Sequence, residues 1–334
     1  MLLAIFLGII AALFLSYFDY QVYTKFWPVI AVFCVIIMLV LFKWGTGPSS
    51  RPDARTWLSI GPINFQPSEL VKIGFIITFG VHLDKVKEKI NNIFSILQLG
   101  AHAAVPIVLV AATGDMGSAL VFMVIAIVMM FVAGVHWGYF LGGIALVGAA
   151  TPLIWTYVLK QLQKDRFLAL IYPDLYPDII YQQQRGLNAI GAGGITGQGL
   201  FKGAYTQAGA VPESQNDMIF SVVGEELGFI GCITALLLIV LITVRIIYVG
   251  KKSSEQSTNL ICTGMAAMII GQMIINVGMC LMLLPVIGIT LPFFSAGGSS
   301  NLCVYLGIGI VMSIYRHNCD TGAVNIRVYD SLKK

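Results

Sequence analysis

Charged residues are scarce in this chain of 334 residues, since only 11% are Asp, Glu, Lys or Arg. A typical soluble domain carries about 25%. Hydrophobic residues make up 57% of the chain, and its mean hydropathy is +0.86. This composition excludes a soluble globular protein and indicates an integral membrane protein. The net charge of +4 is spread out without a basic stripe, so a nucleic-acid-binding surface is excluded as well.

Metal-binding and disulfide motifs are also lacking. The six cysteines stand singly, and no CxxC or Cys/His cluster occurs, so neither a zinc site nor a disulfide framework is indicated. The segment 186–203 is rich in glycine, but no strand precedes it and no βαβ unit surrounds it. A dinucleotide-binding site is therefore excluded. These glycines instead predict a close approach of the backbone to a ligand or to a neighbouring helix.

Long apolar runs are what the chain has in abundance. A membrane-spanning helix needs about 20 apolar residues, and we count nine candidate spans: 1–16, 26–42, 63–81, 94–112, 117–134, 138–158, 218–244, 259–282 and 299–315. They predict an all-α, polytopic integral membrane protein. A single membrane domain would cover 1–315, followed by a short cytoplasmic tail at 316–334. The first run lacks the basic flank and cleavage site of a signal peptide, so we expect it to be a span.

Short loops rich in Lys and Arg face the cytoplasm. This rule predicts three cytoplasmic segments: 84–92, the tail, and the basic connector after the seventh span, which carries Arg245, Lys251 and Lys252. The N-terminus then lies outside. The connectors 159–217 and 283–298 then face outward. The first of these has 59 residues and is too long for a simple connection, so it is expected to be functional. The second holds two prolines and three glycines among apolar residues, which predicts irregular backbone lining a cavity.

Four of the 16 acidic residues cluster where the long connector enters the seventh span: Glu213, Asp217, Glu225 and Glu226. Asp217 has two compatible interpretations. It is a helix N-cap together with Asn216, or it is a catalytic or binding carboxylate that a helix N-terminus keeps ionised. Glu225 follows eight residues later and is predicted to lie near the same helical face. At that depth Glu225 and Glu226 require a buried partner.

The third span supplies the candidate partner. Glu69 and Lys72 are three residues apart on one helix face, which favours either an intrahelical ion pair or a cation that binds phosphate in an outward-facing cavity. Arg55, just before the span, would add a bidentate phosphate contact. Asp115 begins the fifth span and is either a cap or a site residue. Together these residues predict a partly polar cavity with a carboxylate base and cations suited to an anionic, lipid-linked substrate.

Four stretches resemble one family. VPESQNDMIFSVVGEELGFIG is similar to the PE-x-H-T-D-F-I-F-x-x-x-x-EE-LG signature of the SEDS family (shape, elongation, division and sporulation; RodA, FtsW and SpoVE-like proteins). RTWLSIGPINFQPSELVK, TGDMGSAL and LPVIGITLPFFSAGGSS resemble three further blocks, in the family's order. The resemblance implies a peptidoglycan glycosyltransferase of the bacterial plasma membrane. Such enzymes polymerise lipid II and work with a class B penicillin-binding protein. Family members usually have ten spans, so this chain is expected to begin at the second.

The resemblance also implies residue roles. Asp217 is the general base that deprotonates the acceptor sugar, and Glu225 and Glu226 are buried anchors. A divalent cation, Mg²⁺ or Mn²⁺, would assist the pyrophosphate leaving group, although no motif specifies its ligands. The predicted substrate-binding residues are Arg55, Glu69, Lys72, Asp115, Lys202, Glu213, Ser295, Gly297, Gly298 and Ser299, of which Arg55, Lys72 and Lys202 would stabilise the pyrophosphate.

The chain departs from the family pattern at Gln215, Asn216, Met218 and Ala296, where the signatures have His, Thr, Phe and Tyr. Two alternatives therefore stay open. One is a lipid II flippase or transporter, although the inverted repeats common in transporters are not seen. The other is an inactive scaffold that recruits a penicillin-binding protein.

Overall fold

The computed structural model describes residues 2–47, 54–61 and 63–331. Helices dominate this part of the chain: α1 (Leu2–Tyr17), α2 (Tyr20–Lys25), α3 (Trp27–Trp44), α4 (Pro67–Lys85), α5 (Ile93–Ala112), α6 (Met116–Val132), α7 (Trp137–Leu153), α8 (Gln161–Ile171), α9 (Pro177–Gly193), α10 (Ala204–Gln207), α11 (Ile219–Lys251), α12 (Gln256–Cys280) and α13 (Gly298–Ser331). Short 3₁₀ turns occupy Lys87–Lys89 and Pro173–Leu175, and a π turn, Ile154–Val158, follows α7.

The predicted polytopic membrane fold is confirmed. Each of the nine apolar runs coincides with a helix. Within the described ranges, six helices are long and apolar enough to cross a membrane: Trp27–Trp44, Ile93–Ala112, Trp137–Val158, Ile219–Lys251, Gln256–Cys280 and Gly298–His317. Leu3–Tyr17 and Met116–Val132 are shorter apolar helices. Helix α13 continues through 316–331, so the predicted tail is helical as far as it is described, and 332–334 lie outside the described residues.

The third span begins later than its hydropathy predicted. Residues 63–65 are not helical, because Ile63–Phe65 (β2) pairs with Leu58–Ile60 (β1) in an antiparallel hairpin. Helix α4 starts at Pro67, where a proline is favoured because the first helical N–H has no intrahelical partner. The hairpin adds a small sheet to the predicted all-α fold.

The long connector 159–217 is itself largely helical, containing α8, α9 and the short α10. Two of its side chains hold the irregular segment after α12. Gln183 of α9 donates to the carbonyls of Met279 and Leu284, both at 2.8 Å, and Arg166 of α8 donates to Val286 O at 2.6 Å. The segment 283–297 contains no regular helix, as its prolines and glycines predicted.

The chain divides into two compact units, each built from separate stretches of sequence. Unit 1 comprises Met1–Val135, Leu241–Ile270 and Gly297–Lys334, and unit 2 comprises His136–Val240 and Gly271–Ala296. The predicted division into a membrane domain and a tail stays a prediction.

Helix α4 forms the core of unit 1. Almost every residue from Pro67 to Leu83 is buried, which explains how this span accommodates polar side chains. In the same unit, α1 and α13 run parallel. Gly8 of α1 lies against the Tyr305 ring, and the carbonyl of Phe18, directly after α1, accepts from Ser313 Oγ at 2.6 Å.

Candidate active site

Helix α11 is interrupted one-third of the way along its length. Gly228 has φ 66° and ψ −164°, a backbone conformation open essentially only to glycine. The predicted seventh span is therefore present but kinked at this point. The break leaves backbone groups on both sides of Gly228 without partners inside the helix. Residues of the glycine-rich segment 186–203 supply these partners through four hydrogen bonds of 2.9–3.1 Å: Gln198 N to Glu225 O, Gly199 N to Glu226 O, Phe229 N to Gly194 O and Ile230 N to Ile195 O.

The glycines of this segment permit the close approach that the sequence predicted. A Cβ atom on Gly197 would lie 2.2 Å from the Glu226 carbonyl oxygen. On Gly193 it would lie 1.9 Å from the Gly224 carbonyl oxygen. Any side chain at either position would push the segment away from α11 and break the backbone bonds that repair the interruption.

The carboxylates of Glu225 and Glu226 hold the end of the same segment. Both are buried, at 0% and 5% exposure. The two carboxylates accept hydrogen bonds from three backbone N–H groups and one side-chain amide. Glu225 accepts from Tyr205 N at 2.6 Å and Thr206 N at 2.9 Å, and Glu226 accepts from Phe201 N at 3.0 Å and Gln207 Nε2 at 2.9 Å. The prediction that Lys72 is their partner is wrong. Hydrogen bonds to an ionised group are strong enough to hold it without a cation.

Asp217 lies in the turn 212–218, two residues before α11 begins, and is half-buried. The helical-face relation predicted between Asp217 and Glu225 therefore does not apply. Three consecutive carbonyls of the turn are held by hydrogen bonds from 276–296: Ala296 N to Gln215 O at 2.8 Å, Ser295 Oγ to Asn216 O at 2.7 Å and Asn276 Nδ2 to Asp217 O at 2.8 Å. These bonds fix the backbone from which the Asp217 carboxylate projects.

Glu213 lies near the start of the same turn. Its φ of 52° lies in the left-handed region, which is strained for a side chain of this kind. Its carbonyl accepts from the backbone N–H groups of Asn216 and Met218, and its exposed carboxylate accepts from Asn216 Nδ2 at 2.9 Å. Unit 2 thus brings together three of the predicted residues: Glu213, Asp217 and Ser295.

Asn276 is the residue of this site that sequence reasoning missed. It is fully buried in α12, and its Nδ2 also donates to Ile289 O at 2.7 Å. One amide thus ties the turn at Asp217 to the irregular segment after α12. The available signal was a polar side chain inside the apolar run 259–282, because such residues often join membrane helices through hydrogen bonds.

Glu69 and Lys72 form the intrahelical ion pair that was one of the two predictions. Lys72 Nζ lies 2.7 Å from Glu69 Oε1, and the Lys72 side chain is 0% exposed. Asp115 is a cap, as expected, and also a cross-link. Its Oδ1 accepts from Ser118 N at 3.0 Å, while its Oδ2 accepts from Gln66 Nε2 at 2.9 Å and Ser68 Oγ at 3.1 Å.

The start of α13 joins this second cluster, which lies in unit 1. Ser299 Oγ accepts from Gln66 N at 3.1 Å and donates to Asn64 O at 3.3 Å. Gly298 is the first residue of α13, and the Gly297 carbonyl accepts from Asn301 N at 3.0 Å.

The remaining two cations are exposed. The Arg55 guanidinium donates to the Phe42 carbonyl. Lys202, in the loop that Glu226 holds, forms no ion pair within the part of the chain described. Substrate binding by these residues stays a prediction.

A protein-built metal cage is not evident: within the described ranges, no three His, Cys, Asp or Glu side chains gather as ligands. Mg²⁺ commonly needs only one or two carboxylates and completes its shell with phosphates and water. The divalent cation stays a prediction.

A family profile described as "Cell cycle protein", of the FtsW, RodA and SpoVE type, matches residues 1–320. The chain belongs to the FtsW/RodA/SpoVE family. The predicted resemblance is thereby confirmed. Of its relatives, the Escherichia coli (strain K12) peptidoglycan glycosyltransferase MrdB is 28% identical over 314 residues, which cover 93% of this chain and 83% of MrdB. The probable peptidoglycan glycosyltransferase FtsW of Geobacter sp. (strain M18) is 32% identical over 303 residues, covering 89% and 80%.

A solved structure has the same fold as this FtsW/RodA/SpoVE-family chain. It is described as showing the "structural coordination of polymerization and crosslinking by a peptidoglycan synthase complex". The TM-score is 0.81 at 26% identity, over 95% of this chain and 88% of the solved one. The shared fold therefore extends over nearly the whole chain.

Proposed function

We propose that this protein is a peptidoglycan glycosyltransferase that polymerises lipid II into glycan strands at the bacterial plasma membrane. Relatives that carry this activity in their names align over about nine-tenths of the chain. The observation that carries the proposal is the clamp around Asp217, whose backbone is fixed by Asn276 and by the neighbouring bonds to Ser295 and Ala296. A general base requires this kind of positioning, because it must lie about 2.6–3.2 Å from the proton it removes.

In the proposed reaction, the Asp217 carboxylate accepts the proton of the acceptor sugar hydroxyl. The hydroxyl oxygen then attacks the anomeric carbon of the donor. The bond from that carbon to the pyrophosphate oxygen breaks, the configuration inverts, and undecaprenyl pyrophosphate leaves with the bonding electrons. Preorganisation lowers the barrier because the base need not be ordered during the reaction.

The leaving group needs positive charge. Lys202 is the cation best suited to meet it, since it is exposed and lies in a loop anchored by Glu225 and Glu226. Lys72 would first have to leave Glu69, and Arg55 would have to leave the Phe42 carbonyl. A divalent cation bound at the leaving group would supply further positive charge. A class B penicillin-binding protein is the proposed partner, in line with the synthase complex that shares the fold.

The test is polymerisation of lipid II by the purified full-length chain, alone and with Asp217→Asn. Removing a general base costs about 10²- to 10⁴-fold in rate. Asp174→Asn is the matched control, because it makes the same acid-to-amide change at an exposed position of the same connector. We expect the control to polymerise at the wild-type rate.

Full activity of Asp217→Asn would refute the assignment of the base. Lipid II translocation in proteoliposomes without glycan formation would identify a flippase instead. Normal growth of an Asp217→Ala strain, when deletion of the gene impairs growth, would identify a scaffold.

A further inference from the structure

A groove of about 470 Å³ runs between α11 and α13 within unit 1. Its walls are apolar except for Arg245 and Tyr315. Leu241 and Met312 on its walls are 62% and 39% exposed, so the groove opens sideways to the surroundings of the two helices. For membrane-spanning helices those surroundings are lipid. The full lining is Leu241, Ile242, Arg245, Ile246, Val249, Ile308, Val311, Met312 and Tyr315.

Two cations, Arg245 of the groove lining and Lys252, contact the same ring, that of Tyr248. The Arg245 guanidinium lies over the rings of Tyr248, at 5.2 Å, and Tyr315, at 5.7 Å. Lys252 Nζ lies 4.7 Å from the centre of the Tyr248 ring, and a hydrogen bond to Tyr248 raises the pKa of Lys252. Ring contacts use the face of a guanidinium and leave the in-plane N–H donors available.

Neither cation has an anionic partner among the residues whose side chains are described, since no carboxylate there forms an ion pair with Arg245 or Lys252. Within that part of the chain, no carboxylate therefore compensates the charge of Arg245 in the groove lining or that of Lys252 beside it. A neutral lipid chain would pack against the apolar walls but leave the two cations without an anion. A soluble anion would pair with the cations but leave the apolar walls without a packing partner.

The position of this pair along the helices matches a membrane interface. Arg245 lies six residues before the end of α11 at Lys251, and Lys252 follows directly. Tyr315 of α13 lies at the same level, 5.7 Å from the Arg245 guanidinium, and Tyr and basic side chains are common at membrane interfaces. The basic connector after the seventh span predicts that this is the cytoplasmic end, where the leaflet carries anionic lipids.

We propose that the groove between α11 and α13 binds one anionic phospholipid, with its phosphate at Arg245 and Lys252 and an acyl chain along the apolar walls. Basic pockets between membrane helices on the cytoplasmic side recognise anionic headgroups in this way. The site is separate from Asp217 and does not depend on the proposed reaction.

The experiment measures lipid retention by native mass spectrometry of the full-length protein after delipidation in detergent. Phosphatidylglycerol and phosphatidylcholine with identical acyl chains are added separately. We expect phosphatidylglycerol to bind more tightly. Arg245→Gln and Lys252→Gln should each weaken its binding about fivefold and the double variant about 25-fold, while phosphatidylcholine binding changes little.

Arg316→Gln is the matched control. It removes the same charge one residue after Tyr315, but its guanidinium lies 4.4 Å from the Tyr17 ring of α1 and does not line the groove. We expect its lipid binding to stay within twofold of wild type. Met312→Trp tests the walls independently, because a larger side chain fills the groove without changing any charge and should weaken phosphatidylglycerol binding.

Several results would overturn the proposal. One is equal binding of the two lipids by the wild-type protein, and another is unchanged phosphatidylglycerol binding by the double variant. A photocrosslinker at position 312 that captures a partner's transmembrane helix, and no lipid, would assign the groove to that helix. If Arg245→Gln does not fold, Lys252→Gln and Met312→Trp still decide the question, since both lie outside the guanidinium's ring contacts.

Discussion

We expect the Asn276 side chain to control the position of Asp217, the proposed base. A second buried amide on the same helix, that of Gln272, provides an internal control. Asn276 and Gln272 are four residues apart on α12 and are 0% and 1% exposed. Asn276 makes two hydrogen bonds through Nδ2. Both polar side-chain atoms of Gln272 are buried without a hydrogen-bond partner among the described residues. The perturbations are Asn276→Leu and Gln272→Met, each of which replaces an amide with an apolar side chain of similar size.

The structure sets the expected magnitudes. Asn276→Leu leaves the carbonyls of Asp217 and Ile289 without their donor, and each orphaned buried group costs about 1–3 kcal/mol. The Cys280 thiol, 3.6 Å from the Asp217 carbonyl, replaces little of that loss. A loss of about 2–6 kcal/mol in stability is expected. Once the clamp is released, a displacement of the carboxylate by about 1 Å costs roughly 10²-fold in rate.

Gln272→Met should behave in the opposite way. It removes two buried polar atoms that make no hydrogen bond with a described residue, so it relieves a desolvation cost and should leave stability unchanged or raise it. Its polymerisation rate should equal that of wild type.

The assay compares initial rates of glycan formation from lipid II with thermal unfolding midpoints in the same detergent. Rates are normalised to the folded fraction, which separates mispositioning of Asp217 from loss of protein. Wild-type rate and midpoint for Asn276→Leu would refute the clamp. Equal losses in both variants would show that α12 simply tolerates no change at this depth.

Three further changes and one chelation experiment test the site. Gly228→Ala should lower the unfolding midpoint by the equivalent of about 1–3 kcal/mol or more, because its Cβ would lie 2.3 Å from Gly197 N and its φ is positive. Gly148→Ala is the control and should leave the midpoint unchanged, because no atom lies within 4 Å of the added Cβ. Glu225→Gln should speed hydrogen exchange across 198–207, since its NH₂ group would face a backbone N–H and cost about 1–3 kcal/mol. Asp115→Ala should cost about 1 kcal/mol for the lost cap and more for the bonds from Gln66 and Ser68, measured as a lower midpoint. EDTA should stop polymerisation, and Mg²⁺ or Mn²⁺ should restore it.

Each of these expectations has a contrary result. Equal midpoints for Gly228→Ala and Gly148→Ala would mean that the interruption of α11 is not required. Unchanged exchange in Glu225→Gln would mean that the loop is held by its backbone bonds alone. A wild-type midpoint in Asp115→Ala would show that its three hydrogen bonds are replaced by water. Full activity in EDTA would remove the divalent cation from the proposal.

The sequence alone determined the class of protein and the approximate positions of its apolar helices. Hydropathy is a local property, and a run of about 20 apolar residues has few alternatives to a helix in a membrane. The same local reasoning predicted irregular backbone where prolines and glycines interrupt 283–298. The spacing of Pro212, Glu213, Asp217, Glu225 and Glu226 identified the family, because signatures of this kind are read along the chain.

Only the tertiary structure decided which groups meet. Hydropathy could not reveal the break at Gly228, because the bonds that repair it come from residues about 30 positions earlier in the chain. Charge could not choose between Glu69 and Glu225 as the partner of Lys72, since that choice depends on distance in space. The role of Asn276 was equally hidden: an amide within an apolar run acquires a function only when folding brings the Asp217 and Ile289 carbonyls to its donor. A buried polar group must find partners, but the fold determines which partners are within reach.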